Sequence, residues 1–188
     1  MLEDHRGDNM KAEDILKLIQ YDRHDMMNDL QIISGYLSIG NTEKVSEKLH
    51  DMINRFHRDK KLLSTKASHF VLWLMMINHV EPNIRVNYDV NFDEVNLSSL
   101  DEKMTNHCQL LIDGIKAVGS NQELYHVKIH IVQEGLGTNE VKIVFYLTGE
   151  INDDALFSYI DRKQIDPPLH LEKHEKGING TITYYLSQ

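Results

Sequence analysis

The residues best suited to chemistry lie together in Arg23-His24-Asp25-Met26-Met27-Asn28, inside a segment patterned as a long helix. Apolar residues recur there at Ile15, Ile19, Met26, Leu30, Ile33 and Leu37. At about 100° per residue these six fall within roughly 40° of Ile19, while His24 lies about 140° away. The spacing predicts an imidazole that points into water. A neutral imidazole nitrogen carries a lone pair that can attack phosphorus and hold a phosphoryl group as a labile covalent intermediate. Asn28 and Gln31 run along the same face, placed to hydrogen-bond the ring or the phosphoryl oxygens. Arg23 is a neighbouring source of positive charge, although adjacent helical residues do not share a face. The chain has eleven histidines, and an exposed helical histidine is more often plain solvated surface, so spacing alone does not assign this chemistry.

The positioning element is a helix expected from about Lys11 to Ser38, ended by Gly40-Asn41, with glycine suited to the left-handed position past a helix end. A second helix is expected from Thr42 to about Leu63. Its stripe is Val45, Leu49, Met52, Ile53, Phe56 and Leu63. So short a connection makes the pair an antiparallel hairpin. Two broad apolar stripes cannot cover each other completely, so the expectation is a homodimer in which two hairpins form a four-helix bundle. Folding back onto the rest of the same chain is the competing arrangement.

Beyond Ser64-Thr65-Lys66 the pattern changes. Phe70–Val80 reads as a buried helix, with Leu72-Trp73-Leu74-Met75-Met76 as core, and Arg85–Val90 as a strand. A helix over about 99–118 is followed by strands near 124–133 and 140–148, a short helix over 152–163, and strands near 169–175 and 180–186. The fold class expected is α+β: a helical hairpin domain over 1–66 and an α/β sandwich domain over 67–188. Residues 1–10 are polar and expected to fray.

Composition narrows the function classes. With 41% hydrophobic and 26% charged residues the chain reads as ordinary soluble globular protein, and its charge of −9 argues against nonspecific nucleic-acid binding and against anionic membranes. The single cysteine, Cys108, excludes an internal disulfide. No signal peptide is visible and the longest apolar run, Phe70–Ile77, is far short of a bilayer span. The cytoplasm is the expected compartment. No metal site is expected: His170 and His174 lie on a strand without a third ligand, His126 and His130 alternate with apolar strand residues, and His107 beside Cys108 suggests no thiol chemistry. Gly135 and Gly137 precede a strand rather than a helix, so they form no phosphate cradle.

The run His24-Asp25-Met26-Met27-Asn28-Asp29-Leu30-Gln31-Ile32-Ile33-Ser34-Gly35-Tyr36-Leu37-Ser38 resembles the phosphoacceptor helix of the sporulation initiation phosphotransferase B family. The same pattern occurs in the related citrate and C4-dicarboxylate sensor kinases. The resemblance implies a dimeric four-helix bundle and a second domain folded like a histidine kinase ATP-binding domain that does not use ATP. The present residues agree: Asp113, in Leu111-Ile112-Asp113-Gly114-Ile115-Lys116, replaces the asparagine that helps such kinases hold magnesium. Tyr146-Leu147-Thr148-Gly149-Glu150 offers no Asp-x-Gly-x-Gly, while Gly177–Tyr184 resembles the closing strand pair.

The function implied is a phosphorelay. His24 takes a phosphoryl group from the aspartyl phosphate of a response regulator and passes it to a second regulator, controlling sporulation initiation. Asn28 and Gln31 orient or contact the group, and Arg23 aids electrostatically. Asp25 acts on the imidazole, as base or through local hydrogen bonding. The chain binds no cofactor of its own, and the partner receiver domain supplies Mg²⁺. Two rivals stand: a minimal ATP-dependent histidine kinase, and a noncatalytic dimeric binding module.

Overall fold

The computed structural model describes residues 12–92, 95–133, 135 and 139–186. The chain divides into two compact units, one up to Arg55 and one from Phe56. The division falls inside the second helix.

The first unit is a hairpin. Helix α1 spans Ala12–Ser38 and α2 spans Thr42–Ser64, its last turns belonging to the second unit. Gly40 takes φ 72°, a left-handed conformation open to glycine at little cost. Its N–H donates to the Leu37 carbonyl at 3.0 Å and that of Asn41 to the Tyr36 carbonyl at 2.9 Å, which satisfies two of the last carbonyls of α1. Asn41 then caps α2, its Oδ1 accepting from the Lys44 N–H at 3.1 Å. Three residues thus end one helix and start the next, as the sequence predicts.

The second unit is a five-stranded sheet with helices on one face. It contains α3 (Ser68–Val80), β1 (Ile84–Asn91), α4 (Asp101–Val118), β2 (Tyr125–Gln133) and β3 (Glu140–Thr148), then α5 (Asp153–Asp161), β4 (His170–His174) and β5 (Gly177–Tyr185). Strand order is β1-β2-β3-β5-β4. All neighbours are antiparallel except β1 and β2, which run parallel because α4 crosses between them. Alternation sets the faces: Val127, Ile129 and Ile131 of β2 are buried, as are Val141, Ile143, Phe145 and Leu147 of β3. They pack with Phe70, Leu74, Met104, Leu111, Ile112, Leu156 and Ile160 in one core. The final hairpin is tighter than sequence suggests. His174 pairs with Gly177, so only Glu175 and Lys176 make the turn and β5 begins three residues before Gly180.

Helix starts in this unit draw on distant and local carboxylates and amides. Asp101 caps α3 from the start of α4, accepting from the backbone N–H of His69 at 3.1 Å and of Phe70 at 2.8 Å. Asn152 caps α5, accepting from the Ala155 N–H at 3.0 Å. Within the core, burial pushes the Tyr184 phenol's pKa up, so its hydroxyl stays protonated, and it shares a hydrogen bond with His107 Nδ1 at 2.7 Å. Burial, followed by the Lys103 charge, holds His107 below the ordinary histidine range. The Cys108 thiol is fully buried and its pKa is pushed up, which keeps it protonated and unreactive. Among the described residues no helix is long and apolar enough to cross a membrane.

Candidate functional site

From Asp22 to Leu30 the chain has no glycine, proline or β-branched residue, so nothing interrupts α1 around His24. The His24 side chain is 81% exposed, and its Nδ1 lies 3.3 Å from Asp25 Oδ1. An ionised carboxylate only accepts, so for a neutral ring this pairing places the proton on Nδ1 and leaves the Nε2 lone pair facing solvent. Asn28 and Gln31 are also exposed. At 100° per residue they lie about 40° and 20° around from His24, one and two turns along. Neither bonds the ring within the described residues; both lie on the His24 side of α1. Arg23 is exposed and lies about 100° away, a charge beside the site rather than within it.

Five residues past His24, and about 140° around the helix, the environment reverses. Asp29 is only 5% exposed. Its Oδ2 lies 2.5 Å from Arg55 Nη2 and its Oδ1 lies 2.7 Å from Lys48 Nζ. Burial pushes this carboxyl's pKa up, but hydrogen bonds and charges from Lys48 and Arg55 outweigh that and hold it below the usual carboxylate range. Half-buried Ile33 and Tyr36 continue the side of α1 that meets α2. Sequence reasoning passed over this bridge. The available signal was one acid beside the apolar stripe of α1, facing two cations seven residues apart, on one side of α2.

The apolar stripe remains open. Ile19, Leu30 and Leu37 are 49%, 46% and 61% exposed, and Leu49 and Ile53 of α2 are 42% and 51% exposed. Opposite the stripe, on the His24 side, sits Gly35, about 20° around from His24 and about 16 Å along the axis. A Cβ at Gly35 would meet nothing within 4 Å. Glycine inside a helix costs up to about 1 kcal/mol against alanine, and among the described residues no neighbour crowds it here.

Other sequence candidates fall into structural roles. Asp113 accepts from Gln109 Nε2 at 2.8 Å, and Gln109 Oε1 accepts from Trp73 Nε1 at 2.7 Å, so the carboxylate belongs to a packing network. His126, His170 and His174 are exposed, and among the described residues no group of three or more His, Cys, Asp or Glu could hold a metal ion. Leu136, Gly137 and Thr138 of the glycine-bearing loop, and the N-terminal residues up to Lys11, lie outside the described residues. One unexpected histidine is held more firmly than His24: His69 Nδ1 sits 2.9 Å from Asp101 Oδ2. That carboxylate also caps α3, which ties the pair to the start of a helix.

The hairpin matches a known family model, and longer stretches of the chain resemble other proteins. Residues 5–65 match the family described as sensor kinase SpoOB-type, alpha-helical domain. The chain is 24% identical over 129 residues to sporulation initiation phosphotransferase B of Bacillus subtilis (strain 168), covering 69% of this chain and 67% of that one. Among solved structures it is similar to the histidine kinase domain of the blue-light activated histidine kinase of Erythrobacter litoralis EL346, with 13% identity and a TM-score of 0.40. That match covers 64% of this chain and 60% of the kinase chain. The catalytic domain of histidine kinase ThkA gives 16% identity and a TM-score of 0.41, covering 66% of this chain and 92% of that one.

The Asp29 bridge is expected to stabilise the hairpin measurably. Asp29→Ala strands two cations against a buried position and should lower stability by about 2–3 kcal/mol in urea unfolding. Because the folded pKa is depressed, the wild-type contribution is present above about pH 4 and is lost as pH falls through the lowered folded value. The variant should lack that acid-side loss. Residues 5–65 are thus similar to the helical domain described for SpoOB-type sensor kinases.

Proposed function

We propose that this chain is a phosphorelay phosphotransferase. In this reading it takes a phosphoryl group on His24 from an aspartyl-phosphate response regulator and hands it to a second regulator, in the relay that initiates sporulation. The observation that carries the reading is the orientation of one ring. His24 is 81% exposed, and its Nδ1 lies 3.3 Å from Asp25 Oδ1, which leaves Nε2 without a hydrogen-bond partner among the described residues. The similarity to a phosphotransferase over 69% of the chain supports it.

The chemistry asks little of the chain beyond a placed nucleophile. Nε2 attacks phosphorus in line with the P–O bond to the regulator's aspartate. That bond breaks with its electron pair leaving on the carboxylate, and an N–P bond forms. The ring then carries positive charge, and Asp25 beside the Nδ1 proton offsets it. Asn28 and Gln31 flank the phosphoryl oxygens, and Arg23 adds long-range attraction. In the second transfer a carboxylate oxygen of the acceptor attacks phosphorus and the N–P electron pair returns to Nε2. The transition state is loose, with charge spread over three equatorial oxygens. Mg²⁺ held by the receiver domain would neutralise that charge, which leaves this chain the task of alignment.

The active form in this reading is a homodimer. The uncovered stripe of Ile19, Leu30 and Leu37 with Leu49 and Ile53 of α2 is the face a second hairpin would bury, completing a four-helix bundle. His24 lies about 120–140° from it, so pairing leaves the ring free. Leu30→Glu is expected to weaken the dimer by about 100-fold or more, since each copy loses a buried leucine and gains a charge. Light scattering across a dilution series checks this.

The decisive comparison incubates the protein separately with labelled ATP and with a labelled phosphorylated receiver domain. The expected result is acid-labile, base-stable phosphate from the receiver alone, reduced at least 100-fold in His24→Gln while the dimer persists. Label from ATP alone would make the chain a kinase. Label from neither donor would make it a binding module.

A further inference from the structure

We propose that the sheet unit binds a small sugar phosphate in a depression where the end of α2 flanks strands β1 and β2. The inference goes beyond the phosphorelay reading and does not depend on it. The depression has a volume of about 390 Å³, and its lining includes Arg58, Asn87, Tyr88, Asp89, Lys128 and His130. All six belong to the second unit. The volume falls in the range of small-molecule pockets, about 300–1,000 Å³.

Strand alternation aims the polar groups. Val86, Val90, Val127, Ile129 and Ile131 are buried in the core, so Asn87, Asp89, Lys128 and His130 between them point away from it. The parallel register sets Asn87 beside Lys128 and Asp89 beside His130. The Tyr88 hydroxyl donates to Asp59 Oδ1 at 2.5 Å, which pins the end of α2 to β1 with Arg58 next in sequence. Asp113, where the resemblance places a kinase's nucleotide site, stands on α4 among the helices of the other face. The depression is a separate place.

Charge identifies the ligand. The chain carries −9 overall, yet here two permanent cations and a histidine meet one carboxylate. None of Arg58, Lys128 and His130 forms a hydrogen bond or ion pair with another described residue, unlike Lys48 and Arg55, which hold Asp29. A guanidinium fork beside an ammonium suits a phosphate dianion. Asp89 would repel a bare anion. Its Oδ1 accepts from the Val90 N–H at 3.0 Å, which leaves Oδ2, with Asn87, to bind hydroxyl groups. The ligand that satisfies both halves is a phosphate ester carrying hydroxyls. The net negative charge disfavours an anionic lipid surface, so the ester is a free, soluble molecule.

NMR titration of the nitrogen-15-labelled full chain with ribose 5-phosphate and glucose 6-phosphate tests this, with inorganic phosphate and ribose as controls. At least one sugar phosphate should bind with Kd below about 1 mM, about 10-fold or more tighter than either control, and shift the amides of residues 87–89 and 128–130. Arg58→Gln and Lys128→Gln change exposed positions, so Tm should stay within about 2 °C. Each should weaken binding by about 10-fold or more. Asp89→Ala should erase the preference over inorganic phosphate, and His24→Gln should bind as wild type. Weaker binding than about 1 mM by both sugar phosphates, equal affinity for inorganic phosphate, or wild-type affinity in Lys128→Gln overturns the inference. Each of those results leaves the phosphorelay reading standing.

Discussion

A single buried carboxylate sets the rotation of the first helix. Asp29 is held by Arg55 and Lys48 across the hairpin, and an ionised group out of water must keep its partners. Turning α1 by one residue's worth of angle would pull the carboxylate from both cations. Once Asp29 faces α2, the 100° step of the helix decides everything else on α1. The apolar stripe emerges to one side of the hairpin contact, and His24 emerges on the far side. Nucleophile and greasy face are separated by geometry, so one can be buried by association without sealing the other.

That separation explains how a polar, unhindered ring can serve a transfer between proteins. His24 stands on open surface; what the helix offers is a rigid direction. Asp25 settles which nitrogen carries the proton, and the uninterrupted helix settles where the other nitrogen points. The sheet unit contributes differently. Its buried pair His107–Tyr184 and the network Trp73–Gln109–Asp113 are satisfied internally, which describes a scaffold with its polar groups already engaged.

Much of this was legible in the residues. Helical periodicity placed both hairpin helices, and Gly40-Asn41 marked the turn because only glycine enters the left-handed region cheaply. The direction of His24 followed from the same periodicity. The Asp29 bridge did not, because a charge beside an apolar stripe reads as surface until the partner helix is placed against it. Register across the hairpin is a tertiary fact. The parallel pairing of β1 with β2 depends on where α4 returns the chain, which strand patterns do not encode. The turn at Glu175-Lys176 was set too long because Gly177 and Asn179 are common turn formers, yet here they sit in a strand.

The claim that matters most is that a specific ring nitrogen carries the phosphoryl group. Phosphorus–nitrogen correlation NMR on the chain, labelled with nitrogen-15 in histidine and phosphorylated by a receiver domain, reads it directly. The account predicts one phosphorus signal coupled to Nε2 of His24, with Nδ1 still protonated beside Asp25. A signal from Nδ1 of His24, or from the ring of His69 beside Asp101, would contradict it.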